Sequence, residues 1–410
     1  MKEKHQKHPK LTRSDAGSFA RSEWAIIGTP CGVIQGLAKK IAEKWTSEKE
    51  SGQAPQYKVG YVDADHKTGD KNDDFTPFSA EYTDKIGFHR FDFDQKDIGS
   101  FQFRPLFNDV NVVLVNGNHF AAARQIVVLD PKKMESLCRK LDRLTHVDLF
   151  INNGADLTTF KKLSNLENEK KWSDIPVFNI NEIDLIADYL ASKITQPVLK
   201  SLILAGGKSQ RMGANKAILS YHGKPQTEFL VDILRGLNVA PHVSCRSEQA
   251  VDFIMDLAAE DVPIVTDTFL ELGPFGAILS AFRHDPNAAW LVVACDLPLL
   301  DAETLNYLIK NRNLSAIATA FRSPDSKDAF PEPLITIWEP RAYPILLSFL
   351  AQGVSCPRKV LINSNTHLLD APNLDALKNV NTPEEKAAIL HQFFNVTTQP
   401  YDFLAKINRE

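Results

Sequence analysis

The chain has 410 residues, a length that exceeds one ordinary hydrophobic core and predicts two or three domains. It is 43% hydrophobic and 24% charged with a net charge of −4, so it lacks the basic excess expected of a nucleic-acid binder. Five scattered cysteines form no CxxC pair or zinc-like spacing, which indicates reduced thiols in a cytoplasmic protein. Apolar runs stay short of the roughly 18–20 residues that span a bilayer, so we expect no membrane partner.

Short apolar runs alternate with amphipathic stretches through the first half of the chain, which indicates an α/β domain with a mainly parallel sheet. Residues 1–22 are basic, and we expect a disordered tail there. The stretch 67–107 is polar, aromatic and irregular, which predicts a long loop or insertion. Predicted strands begin near residues 24, 57, 111, 125, 146 and 175, and predicted helices cover 33–45, 131–144 and 181–194.

A short proline-containing link at 195–200 precedes a second series of alternating strands and helices. We therefore predict one domain over 23–195 and another over 196–410, each α/β with a mainly parallel sheet flanked by helices. In the second domain, predicted strands cover 201–207, 242–246, 262–267, 289–300, 315–322 and 333–340. Predicted helices cover 226–237, 250–260, 274–285 and 302–311, and the remainder is predicted to be mostly helical.

The stretch LILAGGKSQRMGANKAIL, residues 202–219, places a glycine pair directly after an apolar strand. Adjacent glycines let backbone N–H groups point into one concavity, and the following helix adds its positive end. Lys208, Arg211 and Lys216 add cations suited to a triphosphate. The spacing is neither GxGxxG nor GxxxxGK[ST], so this phosphate loop is of neither common kind.

This stretch resembles the signature L-A-(G/A)-G-x-(S/G)-x-R-(M/F)-G-x-x-K of nucleotidyltransferases, and its LAGG form is most similar to molybdenum cofactor guanylyltransferases. The resemblance extends in order over most of 202–390. It implies a Rossmann-like domain that transfers GMP from GTP to molybdopterin or molybdenum cofactor, with Mg²⁺ or Mn²⁺, and releases pyrophosphate. Asn215 departs from the pattern, because the family usually has Asp before this lysine.

Further motifs of the same family supply the other predicted nucleotide contacts. Asp296 ends the apolar run WLVVACD, where α/β sheets bind ligands, and is the predicted metal ligand. Asp267 ends another strand before a glycine turn, and Arg246 follows a third. The predicted catalytic residues are Arg211, Lys216 and Asp296. The predicted nucleotide-binding residues are Leu204, Ala205, Gly206, Gly207, Lys208, Arg211, Lys216, Arg246, Asp267, Gly273 and Asp296.

Two later motifs resemble the acceptor side of the family. FPEPLITIWEP is similar to an (H/E)-P-L strand and assigns Pro333 to the acceptor site. KNVNTPEE is similar to an N-x-N-T-P-E motif, which assigns Asn379 and Asn381. Thr382, with proline at the next position and Glu385 at the third, predicts a capping box, and Asp301 predicts the N-cap of another helix.

The first domain carries GTPCGVIQG at 28–36, where a P-loop would lie, but the lysine and hydroxyl positions hold Val33 and Ile34. Residues 24–194 resemble a degenerate form of the adaptor protein of molybdopterin-guanine dinucleotide synthesis. Because its defining motif is broken, we expect a scaffold that has lost nucleotide hydrolysis and serves in docking, dimerisation or handing over the cofactor, with cofactor-donating or cofactor-receiving proteins as partners. His66 and His119 lie near strand ends and could bind a metal or an anion, but as lone histidines they are better explained as ordinary loop residues.

Two other functions remain open at this point. The first is a nucleotidyltransferase that uses CTP or acts on a sugar phosphate, because base choice depends on few contacts. The second is a molybdopterin sensor or carrier without catalysis, which Asn215 favours. Against it, the cations of the glycine loop and Asp296 are all retained.

Overall fold

A computed structural model describes residues 18–47, 57–64, 80–85, 87–93, 104–164, 172–205, 219–245, 261–323 and 330–397. The chain divides into two compact units between Thr195 and Gln196. Among the described residues, no helix combines the length and the apolar character that crossing a membrane requires. All five cysteines are free thiols.

In the described part of the first unit, six parallel strands form one sheet in the order β2-β5-β1-β6-β7-β8. Its strands are β1 (Ser22–Ile27), β2 (Val59–Val62), β5 (Val112–Asn116), β6 (Arg124–Leu129), β7 (Val147–Asn152) and β8 (Val177–Asn179). The central strands are continuous apolar runs because helices cover both faces of such a sheet.

The helices of the first unit pack by the usual spacing of apolar side chains. In α1 (Cys31–Thr46), Ile34, Leu37, Ile41 and Trp45 are buried at intervals of three or four residues. The remaining helices are α2 (Met134–Cys138), α3 (Leu157–Leu163) and α4 (Ile183–Ser192), with short 3₁₀ turns at Arg104–Phe107 and Leu141–Arg143.

Three predictions for the first unit need correction. The expected helix over 131–144 is only α2 followed by a 3₁₀ turn. The expected irregular stretch contains a hairpin of β3 (Ala80–Lys85) and β4 (Phe88–Phe93), in which polar residues pair across the strands. Within the predicted tail, β1 begins at Ser22, and the guanidinium of buried Arg21 donates to the carbonyl of Phe107 at 3.1 Å.

In the described part of the second unit, seven strands form a mixed sheet in the order β11-β10-β9-β12-β14-β13-β15. Its strands are β9 (Leu199–Leu204), β10 (Ala240–Cys245), β11 (Ile264–Thr266), β12 (Ala289–Ala294), β13 (Ala318–Arg322), β14 (Pro331–Trp338) and β15 (Thr366–Leu369). Only β14 runs against its two described neighbours. The described part after β14 is mostly helical, as expected, and also contains the short β15.

The second sheet is covered on both faces. Successive residues of β9 lie in different cores: Leu202 and Leu204 belong to one hydrophobic cluster and Ile203 to the other. Side chains of a strand alternate between faces, so a continuous apolar run fills two cores at once. The described helices of this unit are α5 (Gln226–Gly236), α6 (Pro274–His284), α7 (Ala302–Lys310), α8 (Ala342–Ala351), α9 (Pro357–Ile362) and α10 (Pro383–Thr397). The helix predicted over 250–260 lies outside the described residues.

Candidate functional site

The carboxyl edge of the second sheet collects the chemistry-bearing segments. Leu204, the last residue of β9, pairs with Ala294 of β12 and with Ser244 of β10. Parallel strands in this register end level with each other, so the glycine loop after Leu204 and Asp296 after β12 leave the sheet at one edge. This edge is where parallel α/β sheets bind ligands.

Most of the glycine loop lies outside the described residues. The described residues stop at Ala205 and resume at Leu219. Leu204 and Ala205 have buried side chains, and the amide of Ala205 donates to the carbonyl oxygen of Ser244 at 3.2 Å, so a ligand could reach only their remaining backbone atoms. The predicted site residues outside the described part are Gly206, Gly207, Lys208, Arg211, Lys216 and Arg246.

Asp296 begins a turn that is held from two other parts of the unit. The amide of Val380 donates to the backbone oxygen of Asp296 at 2.9 Å. The side-chain amide of Gln226, at the start of α5, donates to the backbone oxygen of Leu297 at 3.0 Å and is itself fully buried. These bonds fix the backbone of the turn from which the Asp296 side chain extends.

A histidine just after the glycine loop braces the same turn. Nε2 of His222 lies 2.8 Å from the carbonyl oxygen of Pro298 and must donate, because a carbonyl only accepts. Its ring stacks on Phe229, with 3.6 Å between centroids. Burial lowers the pKa of His222, so the neutral imidazole holds this position. The exit of the glycine loop is thereby joined to the Asp296 turn.

Tyr221 places a hydroxyl beside Asp296, and the sequence motifs did not single it out. Tyr221 is buried, and burial together with the negative charges of Asp296 and its neighbours raises the Tyr221 pKa to about 12. The ammonium of Lys386 lies 5.8 Å from the centre of its ring. The phenol therefore stays neutral and remains able to donate a hydrogen bond near the Asp296 carboxylate.

Glu332 is a second carboxylate at this edge. Val293 of β12 pairs with Ile335 of β14 in an antiparallel register, so Glu332 of β14 lies at the edge of the sheet where the chain leaves β12 towards Asp296. Glu332 is buried, which raises its pKa, and the charge of Asp296 raises it further. Sequence analysis assigned the adjacent Pro333, which is half-buried on the same strand, and missed Glu332.

Arg358 at the start of α9 compensates this buried carboxylate. Its Nη2 donates to Oε2 of Glu332 at 3.1 Å, and its Nε donates to the backbone oxygen of Pro331 at 3.2 Å. The guanidinium acts to lower the pKa of Glu332, against the larger effect of burial. Because α9 is far from β14 in sequence, no local pattern could have predicted this pair.

Asp267 lies at the same edge, directly after β11. Its Oδ1 accepts a hydrogen bond from the hydroxyl of Ser244 at 2.8 Å, and its amide donates to the carbonyl of Cys245 at 3.1 Å. It does not cap α6, because Gly273 occupies that position. The carboxylate is therefore oriented by a neighbouring strand, which suits a ligand contact better than a helix cap.

Two glycines at the start of α6 are required for different reasons, one for backbone conformation and the other for close packing. Gly273 has φ +57°, a left-handed conformation that favours glycine. Gly276 lies in α6, and a Cβ there would approach the carbonyl oxygen of Phe269 to 2.1 Å. Ser280 adds bonds to this loop by accepting from the amide of Thr268 at 2.8 Å. The loop after Asp267 is thus packed tightly on α6.

The C-terminal motif forms the predicted capping box. The amide of Glu385 donates to the hydroxyl of Thr382 at 3.2 Å, and Oε2 of Glu385 accepts from the amide of Thr382 at 3.2 Å. It also accepts from the amide of Asn381 at 2.6 Å. Asn379 is exposed and Asn381 is half-buried, on either side of the Val380 amide that binds Asp296. Both asparagines therefore lie beside the Asp296 turn.

The oxygen ligands at this edge of the sheet suit a metal ion that is also bound to a phosphate group. Within the described residues, no group of three or more His, Cys, Asp or Glu side chains is arranged to hold a metal. Mg²⁺ commonly takes one or two carboxylates and completes its shell with phosphate oxygens and water. Asp296 at an accessible sheet edge fits that requirement, and Mn²⁺ accepts the same oxygen ligands.

The comparisons with known proteins agree on the second unit. Residues 201–367 match the family described as MobA-like NTP transferase domain. A molybdenum cofactor biosynthesis bifunctional protein from Synechocystis is 31% identical over 196 residues, which are 48% of this chain and 55% of that protein. This chain thus spans about half the length of that relative.

Two further relatives are covered almost completely. A probable molybdenum cofactor guanylyltransferase from Methanocaldococcus jannaschii is 30% identical over 204 residues, 46% of this chain and 96% of the relative. A molybdenum cofactor guanylyltransferase from Pseudomonas putida is 28% identical over 195 residues, 46% of this chain and 95% of the relative.

Proposed function

The chain belongs to the MobA-like NTP transferase family, and we propose that it transfers GMP from GTP to molybdopterin or molybdenum cofactor, releasing pyrophosphate. The printed names of its relatives support both the donor and the acceptor. The observation that carries the proposal is the shared sheet edge, where Asp296, Asp267 and the start of the glycine loop follow neighbouring strands in register.

The reaction is an in-line displacement at the α-phosphorus of GTP. The terminal phosphate of the acceptor is already ionised near neutral pH, so the site needs no general base, and catalysis consists of positioning and charge neutralisation. In the proposal, the amides of Gly206 and Gly207 with Arg211 and Lys216 hold the triphosphate, and Lys216 lies nearest the α-phosphate. A bound Mg²⁺ or Mn²⁺ supplies further neutralisation of phosphate charge, and Asp296 is the residue that would hold it.

The described residues support distinct tasks around this centre. Tyr221 offers a neutral donor beside Asp296. Glu332, on the strand that carries Pro333, forms an ion pair between its buried carboxylate and the partly exposed guanidinium of Arg358, on the proposed acceptor side. Asn379 and Asn381 flank the bond between Val380 and Asp296, so acceptor contacts there would be coupled to the metal ligand.

We assign recognition of the nucleotide base to the loop that follows β11. Asp267 is held by Ser244 and can accept hydrogen bonds from a guanine edge or a ribose. The test is an assay of the full chain with molybdopterin, Mg²⁺ and either GTP or CTP, measuring pyrophosphate and the dinucleotide product. Dinucleotide formation with GTP alone is expected. Equal or better turnover with CTP would replace the guanylyltransferase assignment with a related one.

A molybdopterin sensor is the second candidate, and Asn215 is the observation that favours it. Asn keeps the shape of Asp but removes a negative charge beside Lys216. GTP that raises the melting temperature without any pyrophosphate release would support the sensor. Pyrophosphate release by the Asn215→Asp variant but not by the wild-type chain would show that Asn215 alone accounts for the loss of transferase activity in such a sensor.

For the first unit we propose an adaptor role without nucleotide hydrolysis, in which cofactor-donating or cofactor-receiving proteins dock. At the position of the P-loop hydroxyl stands Ile34, whose side chain is fully buried in the core. Neither a phosphate cation nor a metal-binding hydroxyl is available from that position. In the full chain carrying Lys216→Ala, we expect no conversion of GTP to GDP, and measurable conversion would contradict the proposal. We place the whole protein in the cytoplasm.

A further inference from the structure

The carboxyl edge of the first sheet carries a second constellation, unrelated to nucleotide transfer. Three neighbouring strands in the order β2-β5-β1 lead into Asp63, His119 and Cys31, respectively. All three strands are parallel, so these residues leave the sheet at one edge. A thiol, an imidazole and a carboxylate are thus brought together by strand order, although they are far apart in sequence.

Cys31 is held at the first position of α1 by a constrained turn. Gly28 has φ +98°, and a Cβ there would approach the carbonyl oxygen of Val128 to 2.3 Å, so only glycine fits. The hydroxyl of Thr29 donates to Oδ2 of Asp130 at 2.6 Å. Cys31 therefore has a fixed place at the positive end of a 16-residue helix, and it remains partly exposed to solvent.

His119 and Asn118 contact the sulfur directly. Nε2 of His119 lies 3.3 Å from Sγ of Cys31, and Nδ2 of Asn118 lies 3.6 Å from it. The same Asn118 amide donates to the backbone oxygen of Thr29 at 2.9 Å, which ties the two loops together. Gly117 permits this approach, because a Cβ there would lie 2.9 Å from the carbonyl oxygen of Ile26.

Asp63 is close enough to interact with His119 and is itself firmly held. Burial acts to raise the pKa of Asp63, but hydrogen bonds to its carboxylate outweigh that effect and lower it, and the positive charge of His119 contributes to the lowering. The donors are the hydroxyl of Tyr61 at 2.6 Å, the side-chain amide of Asn116 at 2.6 Å and the amide of Ala64 at 2.8 Å. A thiol within hydrogen-bonding distance of an imidazole is the pattern of nucleophilic cysteine sites.

Two cations lie beside this group. Nζ of Lys140 lies 3.4 Å from the backbone oxygen of Asn118, and a guanidinium nitrogen of Arg143 lies 3.2 Å from that of Gly117. Lys140 interacts electrostatically with Cys31. A helix N-terminus and two cations favour an anionic reactant at this position.

We infer that Cys31, His119 and Asp63 form a nucleophilic thiol site that exchanges with anionic disulfides. Nε2 of His119 takes the thiol proton, and Sγ attacks one sulfur of the incoming disulfide. A new S–S bond forms to Cys31 while the original S–S bond breaks, and the leaving thiolate takes the proton from His119. One thiol and one imidazole suffice for this step, because no oxyanion develops. Asp63 acts as a positioning residue for His119.

The test uses the full chain and two disulfide reagents, the anionic dithiobis(nitrobenzoate) and the neutral dithiodipyridine. The released thiolate is followed by absorbance, and mass spectrometry of peptides locates the mixed disulfide. We expect a fast phase on Cys31 that Cys31→Ser removes and Cys356→Ser, at an exposed cysteine, retains. The anionic reagent should show a larger advantage over the neutral one at Cys31 than at Cys356.

The role of His119 is tested by His119→Gln, which keeps an N–H donor but cannot take the proton. The fast phase should slow by about tenfold or more at neutral pH, and the gap should narrow at alkaline pH, where thiols ionise without a base. An unchanged rate in His119→Gln, or a fast phase that persists in Cys31→Ser, would overturn the inference. If a variant unfolds, peptide-level competition among the wild-type cysteines decides: Cys31 must react before Cys138 and Cys356.

Discussion

The amide of Val380 donates a hydrogen bond to the backbone oxygen of Asp296 over 2.9 Å, across 84 residues of sequence. This bond joins the Asn-rich segment before α10 to the turn that ends β12. Asp296 is the proposed metal ligand, and Asn379 and Asn381 are proposed acceptor contacts. One backbone hydrogen bond therefore joins the segment proposed to bind the GTP-bound metal to the segment proposed to bind the molybdopterin acceptor.

Asp296→Asn should reduce pyrophosphate release by about 100-fold or more, because an amide loses the charge that would hold the metal. The matched control is Asp301→Asn, five residues further on. Asp301 caps α7 by accepting from the amide of Thr304 at 2.7 Å, and Asn caps about equally well. Steady-state assays of both variants check this prediction, and an active Asp296→Asn protein would exclude Asp296 as a required ligand.

Lys216→Ala should also lower turnover by orders of magnitude while leaving the melting temperature unchanged, because the cation neutralises phosphate charge during the displacement. Lys224→Ala is the control from the same connection between β9 and α5. Lys224 forms an exposed ion pair with Asp232, which contributes little to stability. Similar turnover in the two variants would argue against a role for Lys216.

Gly276→Ala should destabilise the second unit and weaken GTP binding together. The new Cβ would meet the carbonyl oxygen of Phe269 at 2.1 Å, so the loop after Asp267 would have to move. Gly236→Ala, at the end of α5, meets no atom within 4 Å and should be neutral or slightly stabilising. Thermal melting with and without GTP measures both effects. Normal GTP binding by a destabilised Gly276→Ala protein would separate this loop from the nucleotide site.

Glu332→Gln should change how stability depends on pH. Burial raises the Glu332 pKa above its ordinary value of 4.5, so the folded protein binds this proton more tightly than the unfolded chain. The stability that this group contributes is fully present below pH 4.5 and is lost as the pH rises through the folded pKa. The difference in melting temperature, variant minus wild type, should therefore increase from acidic towards neutral pH.

Arg358→Ala keeps the Glu332 carboxylate and removes its counter-ion, so its effect on the pH dependence of stability should be opposite to that of Glu332→Gln. Loss of the guanidinium leaves Glu332 buried beside Asp296 without its counter-ion, so the loss of stability with rising pH should become steeper. Parallel melting curves of all three proteins over the pH range would contradict the assigned burial of Glu332.

Thr382→Ala should cost about 1 kcal/mol of stability through loss of the capping box. Because Glu385 also holds the amide of Asn381, we expect a raised KM for the acceptor as well. Asp301→Ala removes another N-cap of the same unit at a similar cost and should leave this KM unchanged. Equal acceptor KM values in the two variants would remove the C-terminal motif from the acceptor site.

Local sequence patterns were enough to predict most strands and to show which strands end in polar residues. They also predicted the side-chain caps at Asp301 and Thr382. The apolar runs of β9 and β12 and the capping spacing each depend on neighbouring residues in sequence, so they can be interpreted without knowledge of the partner strands. Local patterns did not predict the hairpin of β3 and β4, because neither face of this hairpin is buried. Its aromatic residues Tyr82, Phe88 and Phe91 are exposed.

Relations between distant segments could not be predicted in this way. Glu332 comes near enough to Asp296 to interact electrostatically because β14 runs antiparallel to β12, and its charge is compensated by an arginine from a later helix. Cys31 meets His119 because β5 lies beside β1 in the first sheet. Strand order depends on how the whole chain closes its loops and buries both faces of a sheet, which is a property of the assembled unit. Sequence therefore identified residues with reactive or charged side chains at strand ends, and the packing of the sheets decided which of them lie close together.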